Sequence, residues 1–508
     1  MRQLTSLDAQ FLAMETARVY GHVGGFGVYD PTTAPGGRLA REDIVRLIEE
    51  RIHLLPPFRW KLATVPLGLD HPYWVEDADF DLDFHVRETA VPPPGGARQL
   101  GEQIARIAAR PLDRSRPLWE LYLVHGLEGG KVGILTKIHH AAVDGMSGAE
   151  ILSILLDSSP EGRDVTPPDK EVGEVAPNQF EMLGRGLLGM PRYPLRVLRA
   201  LPKVLPGLGD VPMVGTVPGV ARLSRLASRA GSLTRGSLDG GVLNEHRAVR
   251  APRTRFNGRI SPHRRFAFGS LSLAKVKAIK NELGITVNDV VMAVCATALR
   301  DWMIERDELP ADPLVAMIPV SVRSEEERGA FGNRVSTMIV PLPTNEESPR
   351  TRLMLVHDSM GVAKDRHNAL PANLMQDATQ FIPPALMSRA SRVVAELADV
   401  ARPPLNVVIS NVPGPREPLY MAGAELVANY PVSVIMDGVG LNITVLSYRD
   451  HIDFGIVADR DQLDDAWPLM RKLSEALDDM EDVICGSGRT TSPITHPTVG
   501  ESAPAPSA

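Results

Sequence analysis

The chain has 508 residues, room for two large lobes or about three domains at roughly 100–200 residues each. Its 55 Lys and Arg against 62 Asp and Glu leave a net charge of −7, which argues against a general nucleic-acid binder, a class that needs a strong basic excess. With 44% apolar and 23% charged residues it has the make-up of a globular protein with a sizeable core.

The two cysteines, Cys295 and Cys485, are too few and too far apart for a disulfide framework or a four-ligand zinc site, and a reducing compartment is the simplest reading. Asp8 and Glu15 interrupt the first apolar stretch, against a signal peptide. No run approaches the length of a membrane span; Val290–Leu299 is about half of one.

In chain order, Ile44, Leu47, Ile48 and Ile52 follow helical spacing, as do Leu100, Ile104, Ile107 and Ala108. Gly129 and Gly130 signal a turn before a predicted strand over Lys131–His139, and Met146–Leu156 reads as a helix. Residues 159–180 are rich in Pro, Asp and Glu, a linker composition. Between 181 and 235 nine basic side chains face two acidic ones, so this segment is +7 and the remainder −14. Arg192, Arg196, Arg199 and Lys203 share one helical stripe among leucines and valines. The stripe suits an anionic lipid surface, or a solvated crossover between lobes.

Beyond residue 261, strands are predicted at Phe266–Leu271, Leu314–Val322, Val335–Leu342, Asn406–Ser410, Ala424–Tyr430, Gly440–Tyr448 and Ile452–Ala458. Helices are predicted at Leu273–Leu283, Asn288–Glu305 and about 349–364, 384–399 and 461–482. The Ser-, Thr- and Pro-rich end, 486–508, reads as disordered. The division is therefore 1–180 as a first lobe, 181–260 as a basic crossover, 261–485 as a second lobe, and a tail.

One constellation carries chemistry: Lys137-Ile138-His139-His140-Ala141-Ala142-Val143-Asp144-Gly145, where a strand ends and a helix is about to begin. An imidazole there can accept a proton near neutral pH. Asp144 can pair with a distant arginine and pin the loop, and Gly145 permits a turn at positive φ. Structural histidines and a metal site are the competing readings, but no third ligand and no HExxH pattern lies near. There is no nucleophile elbow, since Gly145-Met146-Ser147-Gly148 has the wrong spacing, and neither a Walker A loop nor a dinucleotide fingerprint.

His139-His140-xxx-Asp144-Gly145 resembles the HHxxxDG motif of the CoA-dependent acyltransferase and condensation superfamily. Leu4-Thr5-Ser6-Leu7-Asp8, Pro117-Leu118-Trp119-Glu120, Val287-Asn288-Asp289-Val290, Ile318–Arg323, Phe331–Ser336 and Ser410–Pro415 narrow the resemblance to the bacterial wax ester synthase/diacylglycerol acyltransferase family. They run in family order over nearly the whole chain. The resemblance implies an α/β (α+β) fold of two chloramphenicol-acetyltransferase-like lobes, each a mixed sheet packed with helices, with a tunnel between them.

It further implies transfer of a long-chain acyl group from acyl-CoA to a lipid alcohol, with no cofactor and no bound metal. His140 would be the general base, His139 a supporting residue, Asp144 a brace with Arg323 as its candidate partner, and Gly145 the turn. Asn288, Asp289, Pro117, Leu118 and Trp119 are candidate substrate-binding residues, each with a bland alternative: a helix cap for the first pair, a strand anchor for the other three. The favoured acceptor is diacylglycerol, giving triacylglycerol; a fatty alcohol, giving a wax ester, stays open. A carrier-protein-dependent condensation enzyme and a catalytically silent lipid-binding protein are the rivals. The expected place is the cytoplasm, peripherally on the inner membrane face or lipid droplets.

Overall fold

The computed structural model describes residues 1–142, 148–166, 181–184, 251–321, 335–369 and 403–486. The predicted helix at 384–399, the tail beyond 486 and nearly all of the basic segment 181–235 lie outside these.

The first half carries β1 (Arg2–Gln3), α1 (Ser6–Met14), β2 (His22–Asp30), α2 (Arg41–Arg51), β3 (Trp60–Ala63), β4 (Tyr73–Glu76), α3 (Leu82–His85), β5 (Val86–Ala90), α4 (Ala97–Ala108), β6 (Trp119–His125), β7 (Val132–His139) and α5 (Gly148–Leu155). The second half carries β8 (Arg264–Ser272), α6 (Leu273–Leu283), α7 (Val287–Ile304), β9 (Leu314–Ser321), β10 (Val335–Leu342), α8 (Pro349–Ala369), β11 (Val407–Val412), β12 (Tyr420–Met421), β13 (Ala424–Val432), β14 (Leu441–Tyr448), β15 (His451–Asp459) and α9 (Trp467–Cys485).

Two six-stranded mixed sheets organise the chain, one in the order β12-β13-β2-β7-β6-β5 and the other β10-β9-β11-β14-β15-β8; β1, β4 and β3 form a small third sheet. Chain order would assign the strand predicted at Ala424–Tyr430 to the second lobe. Its register, Tyr430 opposite Phe26 and Glu425 opposite Asp30, makes it a strand of the first sheet. A donated strand reads like any other in sequence, because alternation reports a half-buried face and not which sheet supplies the neighbour.

Residues from 251 already belong to the second lobe: Phe256 lies in its core, and the Asn257 amide donates to the carbonyls of Leu405 and Gly438, both at 2.8 Å. Within the stretch 251–260, Phe256 and Asn257 thus pack on the second lobe.

At the centre of the second lobe is α7. Thr286 caps it, accepting the Asp289 N–H while the Asp289 carboxylate accepts the Thr286 N–H, a reciprocal arrangement that satisfies two orphan donors. From Asp289 to Leu299 every residue is buried, as expected of a helix apolar on all sides. Among the described residues no single helix is long and apolar enough to cross a membrane; α6 and α7 pass that test only as a pair bent by 108°.

The lobes meet on an aromatic seam. Phe26 of β2 packs edge-on against Phe268 of β8, which lies 4.6 Å from the Tyr430 ring of β13. Below it, the fully buried Asp453 of β15 accepts the Asn429 N–H at 2.7 Å and the Ser270 hydroxyl at 2.6 Å, with His451 Nε2 at 3.3 Å. One carboxylate thus ties the two sheets together. Gly455 permits the close approach, since a Cβ there would meet the Pro431 carbonyl oxygen at 1.8 Å.

Candidate active site

The histidine pair stands at the end of β7, and two neighbouring segments hold its main chain. The His139 N–H donates to the Leu118 carbonyl at 2.9 Å, and the His140 N–H to the Gly21 carbonyl at 2.7 Å. In register, His139 faces His22 across the β2–β7 pair.

The two rings have different surroundings. His139 is 1% exposed. Its Nδ1 accepts the Ala141 N–H at 3.0 Å, which places the neutral ring's proton on Nε2, 3.1 Å from Glu15 Oε1. His139 is thereby built into the turn. His140 is only partly buried, and its ring stacks on Phe11 with centroids 4.0 Å apart and planes 16° apart. Of the two imidazoles, His140 is the more exposed.

Glu15 organises this corner. Its Oε1 accepts the Gly21 N–H at 2.7 Å, and its Oε2 receives both Nε and Nη2 of Arg114, at 3.1 and 2.6 Å. Burial alone would raise its carboxyl pKa. The His139 ring, the Gly21 amide and the Arg114 guanidinium outweigh that and hold it at about 2. Gly21 has no room for a side chain, since a Cβ would sit 2.7 Å from His139 Nε2.

The N-terminal Leu4–Asp8 motif gains a physical role here. Thr5 caps α1 by accepting the Asp8 N–H, and α1 delivers Phe11 to one side of the pair and Glu15, its C-cap, to the other. Sequence reasoning passed over Phe11, Gly21 and Arg114 and used Glu15 only as an argument against a signal peptide. A carboxylate six residues before a glycine, just upstream of a strand, was the available signal, but nothing local pairs it with residue 139.

Behind the pair lies more buried charge. Lys137 donates to the Arg110 carbonyl at 2.5 Å and lies 3.4 Å from Glu120. Burial lowers its pKa, and Glu120 opposes that. His22 Nε2 meets the Ala108 carbonyl at 2.8 Å, and burial pushes its pKa well down, so the ring is neutral and donates.

The remaining candidates divide. Leu118 and Trp119 are 0% and 2% exposed. Trp119 stacks between Phe58 and His85, at 4.4 and 4.5 Å, and its indole N–H donates to the Phe58 carbonyl. Pro117 is buried, and its carbonyl accepts the Trp119 N–H. The contacts of Pro117–Trp119 are thus with the protein, and Leu118 serves the pair through its carbonyl. Asp289 is the N-terminal cap of α7 and also lies 2.9 Å from His357 Nδ1. Asn288 Oδ1 accepts the Asn411 amide at 3.1 Å, joining two of the sequence motifs. Asp144, Gly145 and Arg323 lie outside the described residues. Among the described residues, no three His, Cys, Asp or Glu side chains are placed to hold a metal ion.

Comparison with known proteins follows the same lines. Residues 4–291 match the family described as the wax ester synthase/diacylglycerol acyltransferase catalytic domain, and residues 331–481 match its C-terminal domain. A Mycobacterium tuberculosis protein named as a probable diacylglycerol O-acyltransferase is 36% identical over 477 residues, 94% of this chain and 98% of the relative. The solved wax ester synthase/diacylglycerol acyltransferase of Marinobacter aquaeolei VT8 superposes with a TM-score of 0.64 at 29% identity, covering 95% of this chain and all of that one. A trichothecene 15-O-acetyltransferase of Fusarium sporotrichioides shares the fold at 14% identity, with a TM-score of 0.53 over 94% of each chain.

Proposed function

Because the chain belongs to the wax ester synthase/diacylglycerol acyltransferase family, we propose that it moves a long-chain acyl group from acyl-CoA to diacylglycerol, with His140 as the general base. The observation that carries this reading is the asymmetry of the pair: His139 is locked into the turn, while His140 is held by its main chain and presents a partly exposed ring against Phe11.

A thioester is already activated, so the reaction needs no covalent intermediate on the protein. The ring of His140 removes the proton from the acceptor hydroxyl as its oxygen bonds to the thioester carbonyl carbon. The tetrahedral adduct collapses, the carbon–sulfur bond breaks, and the imidazolium returns the proton to the CoA thiolate. An ester and free CoA leave, and His140 is neutral again. Assistance of this kind is worth about 10²–10⁴-fold. His139 and Glu15 act through the main chain of the turn, and Asp144 would brace it, with Arg323 as its candidate partner. Both apolar substrates reach the base through a passage between the lobes. The acceptor arrives from a membrane or droplet surface on the cytoplasmic side, which the basic segment 181–235 would contact.

The test is an acceptor panel with palmitoyl-CoA, followed by thiol release and lipid chromatography. Triacylglycerol formation from diacylglycerol, lost in His140→Ala, is the expected result. Exclusive wax ester formation from hexadecanol would replace the acceptor and keep the base. Turnover only with an acylated carrier protein would replace the donor. Acyl-CoA binding with no CoA release under any condition would overturn the enzymatic reading.

A further inference from the structure

Outside the histidine corner, one cleft is built from like charges. It lies on the seam between α4 and the start of β8, encloses about 210 Å³, and is lined by Arg106, Arg264, Arg265, Arg460 and His263, with Glu102 as its one acid. Four guanidiniums around one small space repel each other unless something negative joins them.

The direct hydrogen-bond partners do not supply that charge, although Asp459 and Asp437 act on Arg264 from a distance. Arg264 donates to the Ser261, His263 and Arg18 carbonyls and lies over the Tyr20 ring, all neutral groups. Arg106 and Arg460 have only loose partners, Glu102 at 3.8 Å and Asp461 at 3.5 Å. Arg265 has a buried Nε with no hydrogen-bond partner. The adjoining cleft on its other side contains Asp464 and Asp465, but Asp465 is engaged by Arg98 and by the Trp467 N–H. A buried, unpaired guanidinium N–H is costly, and its fork matches the oxygens of a phosphate.

The cleft is also close to the chemistry. Arg264 holds the Arg18 carbonyl, and three residues later the Gly21 carbonyl holds the His140 N–H. Three residues span at most about 11 Å, so one short stretch of chain links a wall of the cleft to the main chain of the histidine turn, on the length scale of the pantetheine arm of a CoA thioester.

We propose that the α4–β8 cleft is a phosphate-ester site that takes the nucleotide end of the acyl donor, with Arg265 as its principal ligand and Arg106 and Arg460 at its rim. The proposal rests on the acyl-CoA reading above. Its test therefore includes a binding measurement that needs no turnover.

In calorimetric titration, adenosine 3′,5′-bisphosphate binds the parent protein, and Arg265→Gln weakens that binding about tenfold or more, as loss of a charge-assisted bond requires. In kinetics, Arg265→Gln raises KM for palmitoyl-CoA by a similar factor while kcat at saturating donor falls far less. KM for palmitoyl-pantetheine, which lacks the phosphates, is the same in both proteins. Arg265→Lys keeps the charge without the fork and recovers part of the affinity. Should Arg265→Gln fail to fold, Arg460→Gln and Arg106→Gln, both at exposed positions, are each expected to raise KM for palmitoyl-CoA several-fold.

Bisphosphate binding that is lost in Arg265→Gln, in a protein showing no acyl transfer, would keep the site and remove the function. Equal bisphosphate affinity and equal palmitoyl-CoA KM in parent and variants would overturn the site. Arg265-dependent binding to phosphatidic acid vesicles, uncompeted by the bisphosphate, would overturn the nucleotide as its occupant in favour of a lipid headgroup.

Discussion

The corner around β7 and the helix α7 are both deeply buried, yet they bury opposite kinds of side chain. Around β7, Lys137, His139, His22 and Glu120 are buried in the first lobe with Glu15 partly buried beside them, and most of their polar atoms meet carbonyls, amides or each other, though His22 Nδ1 and His139 Nε2 have no hydrogen bond. In α7 the stretch Val290–Leu299 is apolar except for Thr297, whose hydroxyl donates back to the Ala293 carbonyl. Buried charge is expensive even when paired, whereas apolar burial stabilises directly. The first lobe therefore carries a polar frame that fixes the position of a turn, and the second provides the scaffold. Substitutions in the two regions should separate rate from stability.

The largest effect is expected at the turn itself. His140→Ala should lower kcat by about 10²–10⁴-fold, equivalent to roughly 3–5 kcal/mol of barrier, with a melting curve like the parent's. Turnover close to normal in the folded variant would remove the base assignment.

Leu299→Ala, in the fully buried part of α7, should cost about 2–5 kcal/mol of unfolding free energy while leaving kcat per folded molecule unchanged. Denaturant titration with an active-site titre measures both. A rate loss without a stability loss would erase the distinction between the regions.

Glu15→Gln tests the frame. The folded-state carboxyl sits at about 2, below its ordinary value of 4.5. Its contribution to stability is therefore complete above about pH 4.5 and lost as pH falls toward about 2. The parent should lose stability across that window, and Glu15→Gln should show a shallower loss from a lower plateau. Its kcat should also fall, because the glutamine keeps one acceptor oxygen for Gly21 but its NH2 cannot accept from Arg114, and the negative charge beside His139 is gone; rates and acid melts matching the parent's would reduce Glu15 to a bystander. The smallest effect belongs to Thr286→Ala, which removes the α7 cap and should cost about 0.5–2 kcal/mol with no change in rate, as thermal unfolding beside the standard assay would show.

Much of this was legible locally. The strand before the histidines, the helix Leu273–Leu283 and the strand Val335–Leu342 stand where periodicity predicted them. Periodicity did not reveal that β13 completes the first sheet, since a strand's alternation is the same whichever neighbour it pairs with. In the site, the motif identified the histidine pair but not how differently its members are buried. That asymmetry comes from Ala141 within the turn and from Glu15, Gly21 and Leu118, which are brought to it from earlier in the chain.

By itself, then, the sequence determined the elements, the family and the residues at which to look for a base, because short-range patterning and ordered motifs are properties of the chain. Tertiary structure decided which imidazole is buried and which is partly exposed, what holds Glu15 in its charged form, and that the arginines at positions 106, 264, 265 and 460 share one cleft. Those outcomes depend on burial and on charges brought together from distant segments, and neither exists until the two sheets have packed.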